Sequence, residues 1–382
     1  RRALDRDELI SAGTRAARGA ALPVAGDAVH AELLLIGCEA FLSAGDVASA
    51  APLVDELERI ADDALAPWAT CYRCQHTVYT DPARLPQVDE LLQGAIDEFG
   101  RRSDPAGLAK AHRVRAGASG RLGRIGDCEQ DLFDALIAAR RSGDHRQITA
   151  ALAAAPSAAL WGPSPLPKAG GRCLDVVRMQ RMTTAAPSLE ATSMRHLAVL
   201  EMLRGRPDKA RGMLADARQR VADLGLRHGL METELLAGII ELLQREPVAA
   251  EPHFRAALEG LDALGVGADA GQAAALLAQS LLAQGRIDEA DRYAAESERL
   301  AGHNLKTAIA WRAVRSEILS AQGRDDEAVA MARAAVAVAD GTDLVLDHAE
   351  ACRALSRVLT AAGDGAGVAP VVVQVVVGLV LR

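Results

Sequence analysis

The sequence predicts an all-α solenoid of roughly nine tetratricopeptide-like helix hairpins, and three observations carry that expectation. They are a turn that recurs about every 40 residues, small residues locked to that turn, and a helix-favouring composition. Hydrophobic residues make up 50% of the 382 positions but aromatics only 3%, and β-branched runs are scarce before the last dozen residues. Alanine and leucine dominate, and both head the helix-propensity scale. A core built from them brings helices close together.

The turn is read from Ala44-Gly45-Asp46, Leu122-Gly123-Arg124, Trp161-Gly162-Pro163, Arg204-Gly205-Arg206, Gln284-Gly285-Arg286, Gln322-Gly323-Arg324 and Ala362-Gly363-Asp364. From Gly123 the steps are 39, 43, 80, 38 and 40 residues, and Gln244-Arg245-Glu246-Pro247 halves the step of 80. Glycine takes the left-handed conformation that ends a helix, and Asp or Pro just after it opens the next. Each turn therefore joins the two helices of a hairpin.

Small residues keep step with these turns. Seven positions before the turn residue stand Cys38, Ala116, Ala155, Ala198, Gly238, Ala278, Ser316 and Ser356. Five positions after it stand Ala50, Cys128, Ala210, Ala250, Ala290 and Ala328, with Val368 the exception. Twelve positions after it stand Ala135, Ala217, Ala257, Ser297 and Ala335. Only small side chains let helix backbones cross at the short end of the usual spacing of about 8–10 Å.

The unit exceeds the standard 34-residue repeat and lacks its Trp and Tyr, so its helices are expected to be longer. The unit around Arg84 is degenerate, with Thr77 and Asp89 in the small-residue columns. Residues 156–171, rich in Pro and Gly, are expected to form a long inter-helix loop that bends the solenoid. It would separate divergent hairpins at 1–155 from regular ones at 172–382 within one continuous array. The apolar stretch Val371–Leu381 is too short for a membrane helix, which needs about 20 residues, and its valines make a poor helical end.

The run Leu160-Trp161-Gly162-Pro163-Ser164-Pro165-Leu166-Pro167, then Arg172-Cys173, then the hairpin turns at 204–210, 244–251, 283–290 and 321–328 support a resemblance. Residues 150–365 resemble the carboxy-terminal tetratricopeptide region of large bacterial signalling proteins that carry a class III nucleotide cyclase and an AAA-type ATPase. They also resemble the helical region of large LuxR-type transcription activators. The resemblance implies a cytoplasmic regulator in which this array receives or relays a signal. No phosphate-binding loop or metal-carboxylate pattern of those output domains stands in these residues, so none of their chemistry transfers.

A net charge of −8 excludes the electrostatic footprint of a nucleic-acid binder. The six cysteines are too dispersed for a secreted disulfide scaffold and fit a reducing compartment. No basic and apolar leader is visible, and the start at Arg1-Arg2-Ala3 without Met reads as a piece of a longer protein. Cys71-Tyr72-Arg73-Cys74-Gln75-His76 lacks a second ligand pair, so helix packing is the preferred reading over a metal or redox site. No His pair at helical ligand spacing and no nucleophile elbow occurs, so no catalytic residue, metal or cofactor is expected. Asp288-Glu289 and Asp325-Asp326-Glu327 are placed at helix starts, where the dipole favours negative charge.

Stacked hairpins present their first helices to a concave surface. Counting back from the turns places Lys110, Arg113, Arg195, Gln272, Gln279, Glu317, Arg353 and Arg357 on that surface. Polar and basic side chains there suit an acidic peptide or a carboxylate terminus. The leading expectation is a non-catalytic interaction solenoid that binds a protein or peptide, or domains of its own parent chain. The alternative is a sensor domain in which a small effector gates an attached cyclase or ATPase.

Overall fold

The computed structural model describes residues 3, 8–22, 26–183, 187–364 and 367–368. Among them are eighteen α-helices and no strand. In chain order these are α1 (Leu9–Ala20), α2 (Asp27–Ala44), α3 (Val47–Ile60), α4 (Ala66–Thr80), α5 (Leu85–Arg101), α6 (Pro105–Arg121), α7 (Ile125–Ser142), α8 (His145–Trp161) and α9 (Leu166–Thr183). The array continues with α10 (Pro187–Leu203), α11 (Pro207–Asp223), α12 (Arg227–Leu243), α13 (Pro247–Ala263), α14 (Gly267–Ala283), α15 (Ile287–Ala301), α16 (Leu305–Ala321), α17 (Asp325–Asp340) and α18 (Val345–Ala361). The sequence-read turns close eight hairpins, from α2–α3 to α16–α17, with α1 before them and α18 after.

Most helices are 17 residues long, so two of them with their short turns fill the 40-residue unit. The same left-handed residue ends both helices of a hairpin. It recurs every twentieth position, at 205, 225, 245, 265 and 285, all with φ between 62° and 76°. At Gly285 the amide donates to Leu282 O at 2.9 Å and the next amide, of Arg286, to Leu281 O at 3.0 Å, the paired bonds that satisfy a helix's last carbonyls. Arg245 adopts this conformation at φ 62° without being glycine.

The small-residue columns are the hairpin contacts. Ala50, Ala210, Ala250, Ala290 and Ala328 are wholly buried, as are Ala135, Ala217, Ala257, Ser297 and Ala335. Cys38, Ala198, Ala278 and Ser316 are equally buried in the preceding helices, whereas Ala155 and Ser356 are only half-buried. Gly238 shows how tight the crossing is: a Cβ there would lie 2.4 Å from Cε1 of the buried Phe254 ring. Alanine would gain about 1 kcal/mol of helix propensity at this position. Overpacking costs about 1–3 kcal/mol, so Gly238→Ala is expected to lower the melting temperature. A raised melting temperature would contradict the crossing geometry.

Residues 156–171 differ from the expected long loop. Helix α8 runs through Pro156 to Trp161 and α9 starts at Leu166, so only residues 162–165 connect them. Pro156 removes one helical hydrogen bond, but burial of Ala158, Ala159 and Leu160 just beyond it holds the last turn in place. Gly170 serves close approach instead of flexibility. Its missing Cβ would stand 2.6 Å from Arg204 Nη2, which donates to Leu166 O at 2.6 Å. The degenerate unit turns through a 3₁₀ segment, Pro82–Arg84. The tail Val371–Leu381 lies outside the described residues.

The helices stack in order, and the spiral then meets itself. The first helices of distant hairpins touch: α2 meets α12, α4 meets α14 and α8 meets α18. The rims meet through backbone groups. His303 N donates to Pro82 O at 3.0 Å, and Asp343 N donates to Gly123 O at 2.8 Å. The Asp343 carboxylate in turn accepts from Gly126 N at 2.9 Å. A Cβ on Gly123 would stand 2.6 Å from Thr342, so this seam needs glycine for space as well as for its φ of 74°. The spiral thus returns on itself after ten helices, and its coils enclose a channel.

Candidate functional site

The channel has a volume of about 1100 Å³ and is walled by the inner helices α2, α4, α6, α8, α10, α12, α14 and the start of α16. Each helix contributes residues three or four apart, the spacing of one helical face. On α10 these include Ser188, Thr192 and Arg195, on α12 His228, Glu232 and Leu235, and on α14 Asp269, Gln272 and Leu276.

Three polar knots organise the wall. In the first, Glu39 of α2 accepts from Lys110 Nζ at 2.6 Å, Arg113 Nη2 at 2.8 Å and the Tyr72 hydroxyl at 3.1 Å. Burial alone would raise the Glu39 pKa, but Lys110 and Arg113 outweigh it and hold the carboxyl well below its ordinary range. In the second, Asp269 of α14 joins Arg121 of α6 at 2.6 Å and His228 Nε2 of α12 at 2.9 Å. Burial works against both ionised groups, yet the pairing lowers Asp269 far below its ordinary value and raises His228 above its own. The third joins Arg195 to Glu232 at 2.5 Å and to Gly229 O at 3.0 Å. Beside it burial, helped by the Arg195 charge, pushes His196 down to about 4, so that ring is neutral at pH 7.

Tyr79 ties the second knot to α4. Its ring packs edge-on against His228 at 5.5 Å and beneath Arg121 at 5.9 Å. Burial keeps its hydroxyl protonated, and that hydroxyl has no hydrogen-bond partner among the described residues. Nε of Arg113 and of Arg195 are also buried without a partner. Farther along, Lys306 Nζ sits 3.4 Å above the Trp161 ring and grips both Asp347 oxygens at 2.7 Å.

The structure divides the eight sequence-expected groove residues into three sets. Arg113, Arg195 and Gln272 line the channel. Lys110 is wholly buried, with Nζ held by Glu39 and by Gln75 at 2.5 Å, so it presents no surface to a partner. Gln279, Glu317, Arg353 and Arg357 stand on α14, α16 and α18 outside the channel lining. There Gln279 donates to Glu350 at 2.6 Å, Arg353 pairs with the same carboxylate, and Arg357 pairs with Glu317 at 3.0 Å. Sequence counting missed His228, Asp269 and Lys306, which lie on the same stripe one helical turn nearer the helix start. It also missed Tyr79 and Arg121, which reach the channel from the ends of their helices.

Other clusters supply no better site. All six cysteines are free and buried, and burial pushes the thiols of Cys71 and Cys74 up to about 12, far from a reactive thiolate. His112, Asp131 and Asp134 approach one another, but Arg115 already holds both Asp131 oxygens, at 2.6 and 2.9 Å. Asp288, Glu289, Asp325, Asp326 and Glu327 lie in the first turns of α15 and α17, where Glu289 and Glu327 each hold an arginine at 2.6 Å. Among the described residues no helix is long and apolar enough to cross a membrane.

No family model and no curated protein matches the chain. Among solved structures it is similar to a Rap protein complexed with Competence and Sporulation Factor, with a TM-score of 0.63 and 13% identity over 91% of this chain and 99% of that one. NprR in complex with its cognate peptide NprX gives 0.59 and 12% over 88% and 98%. The apo form of the quorum sensor NprR from B. thuringiensis gives 0.52 and 12% over 91% and 98%. These likenesses show the fold: the chain is a tetratricopeptide-like helical repeat solenoid.

Proposed function

We propose that this chain is a regulatory solenoid without catalysis of its own, which receives a short peptide in its central channel and passes that state to a partner or a neighbouring domain in the cytoplasm. One observation carries the reading: a wide channel whose wall offers apolar side chains (Leu235, Leu236, Ile239, Leu276) beside convergent polar ones (Arg113, Tyr79, Arg195, Gln272). An extended peptide needs both, apolar pockets for affinity and polar groups for register. One structure of similar fold, NprR, was solved in complex with its cognate peptide, which supports the same class of occupant here.

The test is to pass a random pool of short peptides over the immobilised chain and over its Gly117→Trp variant. Gly117 lines the channel and has open space beside its Cα, with only Val78 near at 3.7 Å, so the indole fills the channel without crushing the helix. Peptides enriched on the parent chain and lost by at least about tenfold on the variant are the expected result. No enrichment, or enrichment indifferent to Gly117→Trp, would sink the proposal. A metabolite that raises the melting temperature in its place would select the small-effector sensor.

A further inference from the structure

The turn between α12 and α13 departs from its counterparts at three positions. Gly205, Gly285 and Gly323 hold the left-handed position in the hairpins α10–α11, α14–α15 and α16–α17, and Arg245 holds it here at φ 62°. A side chain is strained in that conformation, and glycine is not. The next residue in those hairpins is Arg206, Arg286 or Arg324, each paired with a glutamate of its own hairpin. Here it is Glu246, whose side chain caps nothing. The second helical residue is Asp208, Asp288 or Asp326 elsewhere, whereas here it is Val248, 69% exposed. Leu243, two residues before Arg245, is 44% exposed. Arg245 and Glu246 are both exposed, and neither makes a side-chain hydrogen bond or ion pair among the described residues. The turn is nonetheless fixed. Pro247 O accepts from Ser280 Oγ at 2.6 Å and from Gln284 Nε2 at 3.3 Å, and Gln244 Nε2 reaches Met202 Sδ at 3.2 Å. A strained arginine and a bare valine on a rigid turn gain no contact within the chain, the mark of a surface kept for something outside it.

We infer that this turn docks on a second copy of the chain across a two-fold axis. Arg245 of one protomer then faces the partner's Glu246, and its own Glu246 faces the partner's Arg245. Adjacent residues of opposite charge make such a patch complementary to itself, which a two-fold contact requires. Val248 and Leu243 of both protomers leave water around these paired charges. The flanking turns do not compete, because Arg206 and Arg286 are already held by Glu201 and Glu251. Gly205 and Gly285 leave open space above them, so the approach is clear. One turn is a small contact, and a reversible dimer with a dissociation constant on the order of 10 μM is expected. It depends neither on the channel nor on its occupant.

Sedimentation velocity of the whole chain from about 1 to 100 μM measures the association. A monomer–dimer equilibrium is expected. Val248→Asp, Arg245→Glu and Glu246→Arg are each expected to weaken it by at least about tenfold. The decisive arm mixes the two charge reversals. Alone, each sets like charges against each other, whereas the mixed pair opposes unlike charges at both contacts and is expected to regain the dimer. Arg245→Gly is expected to raise the melting temperature of the monomer and to weaken the dimer. That combination separates loss of the contact from loss of the fold, since an arginine needed only for folding would lower the melting temperature when replaced. A parent chain that stays monomeric overturns the inference and leaves the turn to a different protein. A dimer indifferent to Val248→Asp and to both reversals overturns it as well, as do reversals that fail to associate when mixed.

Discussion

Glu39→Leu is expected to cost about 3–5 kcal/mol of stability, because it leaves Lys110 and Arg113 buried without their shared carboxylate. Lys110 has no exposed surface and Arg113 little, so neither turns to water without opening the contact between α2 and α6. Tyr72 loses an acceptor in the same step. The double variant Glu39→Leu with Lys110→Met removes one stranded charge and is expected to recover a large part of the loss. Urea unfolding followed by circular dichroism measures both, and a Glu39→Leu midpoint equal to the parent's would show that the knot is not buried as described. The sign of the pH effect follows from the lowered Glu39 pKa. Its stabilisation is complete well above the ordinary value of 4.5 and declines as pH falls below it toward the folded value.

Asp269→Ala is expected to cost about 3 kcal/mol, toward the lower end for a buried pair, because Arg121 and Asp269 keep a little solvent contact. The consequence is not local. Asp269 sits on α14 and its partners on α6 and α12, so the substitution loosens a tie between helices far apart in sequence as well as one between neighbouring hairpins. His228 reports it directly. Its folded pKa is raised, so its contribution is whole below 6.5 and is lost as pH rises through the folded value. Without Asp269 the desolvation of the ring prevails over the remaining Glu232 charge, and the His228 pKa is expected to fall. A proton titration of His228 by nuclear magnetic resonance, unchanged between parent and Asp269→Ala, would remove this knot from the account.

How far the site was legible differs by residue. Arg113, Arg195 and Gln272 stand on the channel wall as counted, because a helical stripe counted back from a turn needs only the period of the helix and the position of the turn residue. Lys110 obeys the same count, yet Glu39 and Gln75, more than thirty residues away, draw its amine into the interior. Gln279, Glu317, Arg353 and Arg357 also follow the stripe, but where the spiral ends is not written in a local pattern. Tyr79 and Arg121 matter because Asp269 and His228 stand beside them. No spacing within a repeat encodes a partner as far away as the 148 residues between Arg121 and Asp269.

The sequence by itself determined the repeat: the all-α class, the forty-residue unit and the small residues at each crossing. These rest on interactions between neighbouring helices, and each unit repeats them, so the signal accumulates along the chain. Only the tertiary structure decided that the spiral closes and which side chains meet across it. Closure depends on a small rotation per hairpin summed over many hairpins, and its seam is made of backbone groups such as Gly123 O and Asp343 N, which carry no residue signature. The helix through Pro156 belongs to the same category, since burial of the residues beyond it outweighed a local preference to break.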